Sequence, residues 1–101
     1  MDKIITENID KIKEYCKAYK VKELYAIGSV VAENFNENSD VDLLIKFDNL
    51  SFEEYTDNYF ILHDLFRKTF KRDVDLITDK SLSNPYFIKS IEKTKKLLYA
   101  G

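Results

Sequence analysis

The sequence predicts an α+β fold: a small mixed sheet of three to four strands, with helices mainly on one face, packed as a compact α/β sandwich. Three observations carry this reading. Helix-period and strand-like segments follow one another as helix, strand, turn, strand, helix, strand, helix. Two Gly and one Pro leave few breaks, and apolar residues make up 45 % of the chain against 34 % charged. A chain of 101 residues can bury only one modest core, so residues 1–101 read as a single domain.

The first helix is read from Ile5, Ile9, Ile12, Cys16 and Tyr19, whose steps of four and three draw one apolar stripe over about residues 6–20, with Thr6 as N-cap. The short apolar run Leu24 to Ile27, ending at Gly28, is too short for a helix and reads as a strand at 23–27. Ser29 opens a turn or short helix. The polar segment ENFNENS at 33–39 is a loop by composition. VDLLIKF, 41–47, suits a mostly buried second strand.

Ser51 and Glu54 form a capping box that opens a long helix to about Phe70. Tyr55, Tyr59, Leu62 and Phe66 are its main stripe, widened by Phe52, Ile61 and Leu65. A basic turn leads to a third strand at 73–78. Asn84-Pro85 then reads as an N-cap with Pro in the first turn of a last helix, packing Phe87, Ile88 and Ile91. Residues 96–101 fit either a continuation of that helix or an edge strand.

Composition excludes several function classes. With 16 basic and 18 acidic residues, the net charge of −2 offers no footprint for a polyanion, so long nucleic acid is a poor partner. Cys16 is the one cysteine and can form no internal disulfide; its phase in the stripe makes it a packing residue. The opening MDKIITENIDKIKEY lacks the apolar core of a secretory signal, and no stretch approaches the ~18 apolar residues needed to cross a bilayer. A cytoplasmic protein is expected.

The chemistry concentrates in GSVVAENFNENSDVD, residues 28–42, and in DVDLIT, 73–78. On a strand, residues two apart leave the same face with Cα atoms about 7 Å apart, so Asp40 and Asp42 converge while Val41 and Leu43 face the other way. Asp73 and Asp75 repeat the pattern. If the third strand lies beside the second, Asp75 completes a nest of three carboxylates. Such a nest needs cations, and hard oxygen donors suit Mg²⁺. Two ions about 3.5 to 4 Å apart can stabilise the attacking and leaving oxygens of an in-line displacement at phosphorus. Gly28 would let the backbone approach a triphosphate, and Ser29 would donate hydrogen bonds to it.

LYAIGS, SDVDLLI and DVDLIT, in this order and spacing, resemble the DNA polymerase beta-like nucleotidyltransferase superfamily, and within it the minimal nucleotidyltransferases, over essentially the whole chain. The resemblance implies the nucleotidyltransferase fold and transfer of AMP from ATP with Mg²⁺, two ions at the site. It places Gly28 and Ser29 on the phosphate-binding turn, Asp40 and Asp42 as paired metal ligands, and Asp75 as the third catalytic and metal-binding carboxylate, with Asp73 accessory. It also implies a partner. Relatives of this size act as antitoxins that attach AMP to a tyrosine of a HEPN-domain toxin, and a chain this short leaves no second domain to grip an acceptor. Self-association is left open.

One departure stands out. Many minimal nucleotidyltransferases continue Gly-Ser-x-Ala-Arg-Gly, whereas this chain reads Gly28-Ser29-Val30-Val31-Ala32-Glu33, without the Arg or second Gly. Lys46, Lys71 and Arg72 are the cations that could substitute. The alternative reading is a non-catalytic antitoxin that binds and masks its toxin. His63, bordering the long helix's stripe, reads as a packing or surface residue rather than a base.

Overall fold

The computed structural model describes residues 1–32 and 34–101; Glu33, the first residue of the polar loop expected at 33–39, lies outside the described residues. The chain opens with a short helix α1, Lys3–Thr6, followed by α2, Ile9–Ala18. The single helix expected from about residue 6 is thus divided. Asp2, not Thr6, is the cap: its carboxylate accepts from the Ile4 amide at 2.9 Å, while the Thr6 hydroxyl donates to the Lys3 carbonyl. Asn8 causes the division, because its side-chain amide donates to the Ile4 carbonyl at 2.8 Å and its backbone leaves helical geometry. The apolar stripe survives the break, with Ile5, Ile12 and Cys16 fully buried. Burial pushes the Cys16 thiol up to about 12, so it stays protonated as a small packing group.

Lys20 at φ 60 reverses the chain, and strand β1, Val21–Ile27, starts two residues before its expected start at 23. Strand β2 spans Val41–Phe47, the expected range, and helix α3 spans Phe52–Phe70, with the Ser51 hydroxyl accepting from the Glu54 amide at 3.2 Å. Strand β3 is Val74–Thr78 and helix α4 is Pro85–Thr94, capped by Asn84, whose side chain accepts from the Tyr86 and Phe87 amides. Residues 96–100 become strand β4, Lys96–Ala100, pairing antiparallel to the otherwise free edge of β1.

The sheet order is β3-β2-β1-β4, with β1 antiparallel to both β2 and β4, and β2 parallel to β3. A parallel pair cannot be joined by a tight turn, and α3 supplies the crossover. Leu24, Ala26, Val41, Leu43, Ile45, Val74 and Leu76 face the main core, where they meet Ile12, Cys16, Leu62 and Phe66. The opposite face carries a smaller cluster, Ile27 and Leu44 under Ile91 of α4. Helices therefore lie mainly on one face, as the sequence predicts.

Three packing expectations are corrected. Phe52 is 84 % exposed, Phe87 44 % and Ile61 40 %, rather than part of their helices' buried stripes. Phe52 occupies the first position of α3, before the helix meets the sheet. The apolar patch beneath α4 is too small to cover a whole helical stripe, so Ile91 is buried while Phe87, one turn earlier, is not. Phe66 is the largest fully buried side chain and packs edge-on against Tyr15 at 6.2 Å between centroids. Phe66→Ala is expected to cost about 3–5 kcal/mol in urea unfolding, the range for removing an aromatic ring from a core.

Candidate active site

The parallel ladder sets Asp42 of β2 directly opposite Asp75 of β3. Neighbouring strands lie about 4.8 Å apart, so the two carboxylates are adjacent on one face. The burial of Val41, Leu43, Val74 and Leu76 in the main core decides which face: the acidic residues between them must turn to the other side. Asp42 is half-buried and Asp75 exposed.

On its other flank Asp42 pairs with Ile27, the last residue of β1. The chain then turns at Gly28, with φ +69, into a single 3-10 turn over Gly28–Val30. A Cβ at position 28 would stand 2.5 Å from Asp42 Oδ2, so only glycine lets this turn lie against the carboxylate. The Val31 and Ala32 amides both donate to the Gly28 carbonyl, at 3.1 and 3.3 Å. Val30 is fully buried and its carbonyl accepts from the Asp2 amide at 2.9 Å, which pins the turn to the start of α1. Ser29 is half-buried beside it.

Asp40 is exposed and lies one residue before β2, so its position depends on the loop that precedes it. That loop is tied internally: Asn36 Oδ1 accepts from the Asn38 amide at 2.9 Å, and Ser39 Oγ accepts from the Asn36 amide at 3.1 Å. Arg72 anchors it from outside, donating through Nη1 to the carbonyls of Asn36 at 2.6 Å and Ser39 at 3.1 Å while its guanidinium lies 4.5 Å over the Phe35 ring. The Val41 amide donates to the Asp73 carbonyl at 3.0 Å, joining the loop's exit to the start of β3.

Of the three cations weighed as substitutes for the missing Arg, Arg72 is therefore committed to the loop. Lys71 closes α3 in the left-handed conformation at φ 55. Lys46 is exposed on β2, four residues beyond Asp42. The anchoring role of Arg72 had no local signal in the sequence, because its acceptors lie 36 and 33 residues away.

The electrostatics agree with the geometry. Burial first, then the charges of Asp75 and Asp40, raise the pKa of Asp42 above the ordinary carboxylate value, so the three acids share one field. Among the described residues no three carboxylate, imidazole or thiolate groups are already drawn together as a closed metal-ligand set. Backbone register brings Asp42 and Asp75 side by side, while Asp40 stands one residue before β2 on its loop. The trio's donor chemistry, three hard oxygens of like charge beside a glycine turn, fits a divalent cation of the magnesium type.

Gly28→Ala forces a left-handed backbone on a residue with a Cβ and displaces Asp42; it is expected to destabilise the protein by about 1–2 kcal/mol in urea unfolding. Asp42→Asn has the opposite sign. A carboxyl whose folded pKa is raised opposes folding when ionised, so the metal-free wild type should gain stability as pH falls from neutrality through that raised pKa. The Asp42→Asn substitution should remove this gain and raise the melting midpoint of the metal-free protein slightly at pH 7, as calorimetry across pH would show.

The family profile described as Polymerase beta, Nucleotidyltransferase matches residues 10–101. A Methanocaldococcus jannaschii protein named "Putative protein adenylyltransferase MJ1379" is 38 % identical over 90 residues, spanning 88 % of this chain and 89 % of its own. A second from the same organism, of the same name but for its number, MJ1217, is 38 % identical over 91 residues, 88 % of this chain and 89 % of its own. The fold also matches a crystal structure described as a toxin-antitoxin with AMP-PNP, with TM-score 0.70 at 22 % identity over 93 % of this chain and 74 % of the other. A tri-AMPylated Shewanella oneidensis HEPN toxin in complex with MNT antitoxin gives TM-score 0.63 at 19 % identity, over 95 % and 72 % of the two chains. Facing carboxylates on parallel strands, a glycine turn against one of them, and a match over nearly the whole sequence lead to one assignment: the chain belongs to the polymerase beta nucleotidyltransferase family.

Proposed function

We propose that the 101 residues act as one minimal nucleotidyltransferase domain that transfers AMP from ATP to a tyrosine of a HEPN-type toxin, serving as its antitoxin in the cytoplasm. The observation that carries the reading is the pairing of Asp42 with Asp75, with the Gly28 turn against Asp42. Asp40, Asp42 and Asp75 would hold the divalent cations, and Mg²⁺, in two copies, is the ion proposed. Bound there, the ions would offset the charge of the triphosphate and of the developing transition state.

The roles of the chain's own groups follow from where each lies. The Gly28–Val30 turn would offer the Ser29 amide and hydroxyl to the triphosphate, orienting the α-phosphorus. Asp42, wedged under Gly28, would serve the nucleotide's side, and Asp75, exposed on the sheet's edge strand, would serve the acceptor's. The tyrosine oxygen attacks the α-phosphorus, a new P–O bond forms, and the bond to the β-phosphate oxygen breaks with release of pyrophosphate. Asp75 takes the hydroxyl proton. The names of the M. jannaschii relatives support a protein acceptor, and the AMPylated HEPN toxin of the S. oneidensis complex supports its class.

A second reading, masking of the toxin without catalysis, rests on Ala32 and Glu33, which stand where many minimal nucleotidyltransferases carry Arg and Gly. The two readings separate in one experiment. ATP labelled at the α-phosphate, with Mg²⁺, should label the partner toxin, and Asp40→Asn and Asp42→Asn should abolish the label while keeping the wild-type circular dichroism. Normal labelling by both variants would exclude the proposed chemistry. Neutralisation of the toxin in cells by the unlabelling variants would establish masking.

A further inference from the structure

Among the described residues β3 ends the sheet, with β2 on one side and no strand on the other. An edge strand presents alternate backbone groups to solvent, and an acidic residue on it is only as well placed as that backbone. Two side chains of α3 fill the place of the missing neighbour. The Tyr59 hydroxyl donates to the Leu76 carbonyl at 2.7 Å, and His63 Nε2 meets the Val74 carbonyl at 2.8 Å. These carbonyls flank Asp75 on its two sides. The rings, one helical turn apart, are parallel within 1° with centroids 6.3 Å apart.

We infer that Tyr59 and His63 are positioning residues that hold Asp75 in register with Asp42, substituting for a fifth strand. The inference rests on the reading of Asp75 as a metal ligand and extends it to the groups behind it. A carbonyl only accepts, so His63 Nε2 must carry the proton, and that nitrogen is unavailable as a base. Tyr59 also stays a donor: burial, then the charge of Asp75, then Tyr55, hold its hydroxyl above its ordinary pKa. Helix α3 thus serves the site without reaching the substrate.

The test is Mn²⁺ binding, followed by its electron paramagnetic resonance, with hydrogen exchange of the β3 amides in metal-free protein as a second readout. Tyr59→Phe removes only the hydroxyl and keeps the ring, so it folds; His63→Ala and His63→Gln remove and retain a side-chain donor. Asn58→Ala is the control, because it breaks a comparable tie from α3, the 3.0 Å bond from its amide to the Tyr19 carbonyl, away from Asp75. Tyr59→Phe and His63→Ala should each bind Mn²⁺ roughly tenfold more weakly, the usual cost of losing a partner behind a metal ligand, with faster exchange at residues 74–76. His63→Gln should recover part of the loss, and Asn58→Ala should bind as wild type. Wild-type affinity in Tyr59→Phe and His63→Ala would overturn the positioning role while leaving the metal site standing. A wild type that binds no Mn²⁺ would overturn the metal site itself, and the inference with it.

Discussion

Everything at the acidic edge depends on the parallel register of β2 and β3, which holds two like charges side by side against their repulsion. Two carboxylates about 4 Å apart repel by roughly 1 kcal/mol in water and about 4 kcal/mol at a protein surface. The same two strands bury Val41, Leu43, Ile45, Val74 and Leu76 on their other face, and each such side chain contributes about 1.5–3 kcal/mol. The apolar face wins, so the register stands without a cation and the acidic face is left strained.

The surroundings reduce the freedom of each acid by a different means. Asp42 sits on a central strand and is covered by a turn that tolerates no side chain at Gly28. Asp40, outside the strand, depends on a loop that Arg72 fastens through two carbonyls and an aromatic ring. Asp75, on the edge strand, is flanked by the bonds from Tyr59 and His63. Arg72, Tyr59 and His63 all come from α3 or the turn just after it. The crossover that makes the sheet parallel therefore also supplies the groups that steady two of the three acids.

The location of the site explains why so short a chain can house it. None of the acidic side chains draws on the main core; they need only the far face of strands that the core already holds. Helix α4 covers a small part of that face, with Ile91 over Ile27 and Leu44, and Asp75 on the edge strand stays exposed. An open edge suits an acceptor that arrives with its own surface, as a folded protein does.

The order of elements through α4, the range of β2, the cap of α3 and the turn at Gly28 were legible in the sequence, because each rests on local chemistry: period, capping or turn geometry. The strand at 96–100 and the exposure of Phe52 and Phe87 were not, since each depends on what a neighbour left unpaired or uncovered. Nor were the roles of Arg72, Tyr59 and His63, whose hydrogen-bond partners lie 11 to 36 residues away. Local pattern determined which residues carry the charge and which face of a strand they leave. Only the tertiary fold decided that β3 lies parallel beside β2, and hence that Asp75 stands opposite Asp42, because strand pairing is settled by burial and by satisfaction of backbone hydrogen bonds across the whole chain.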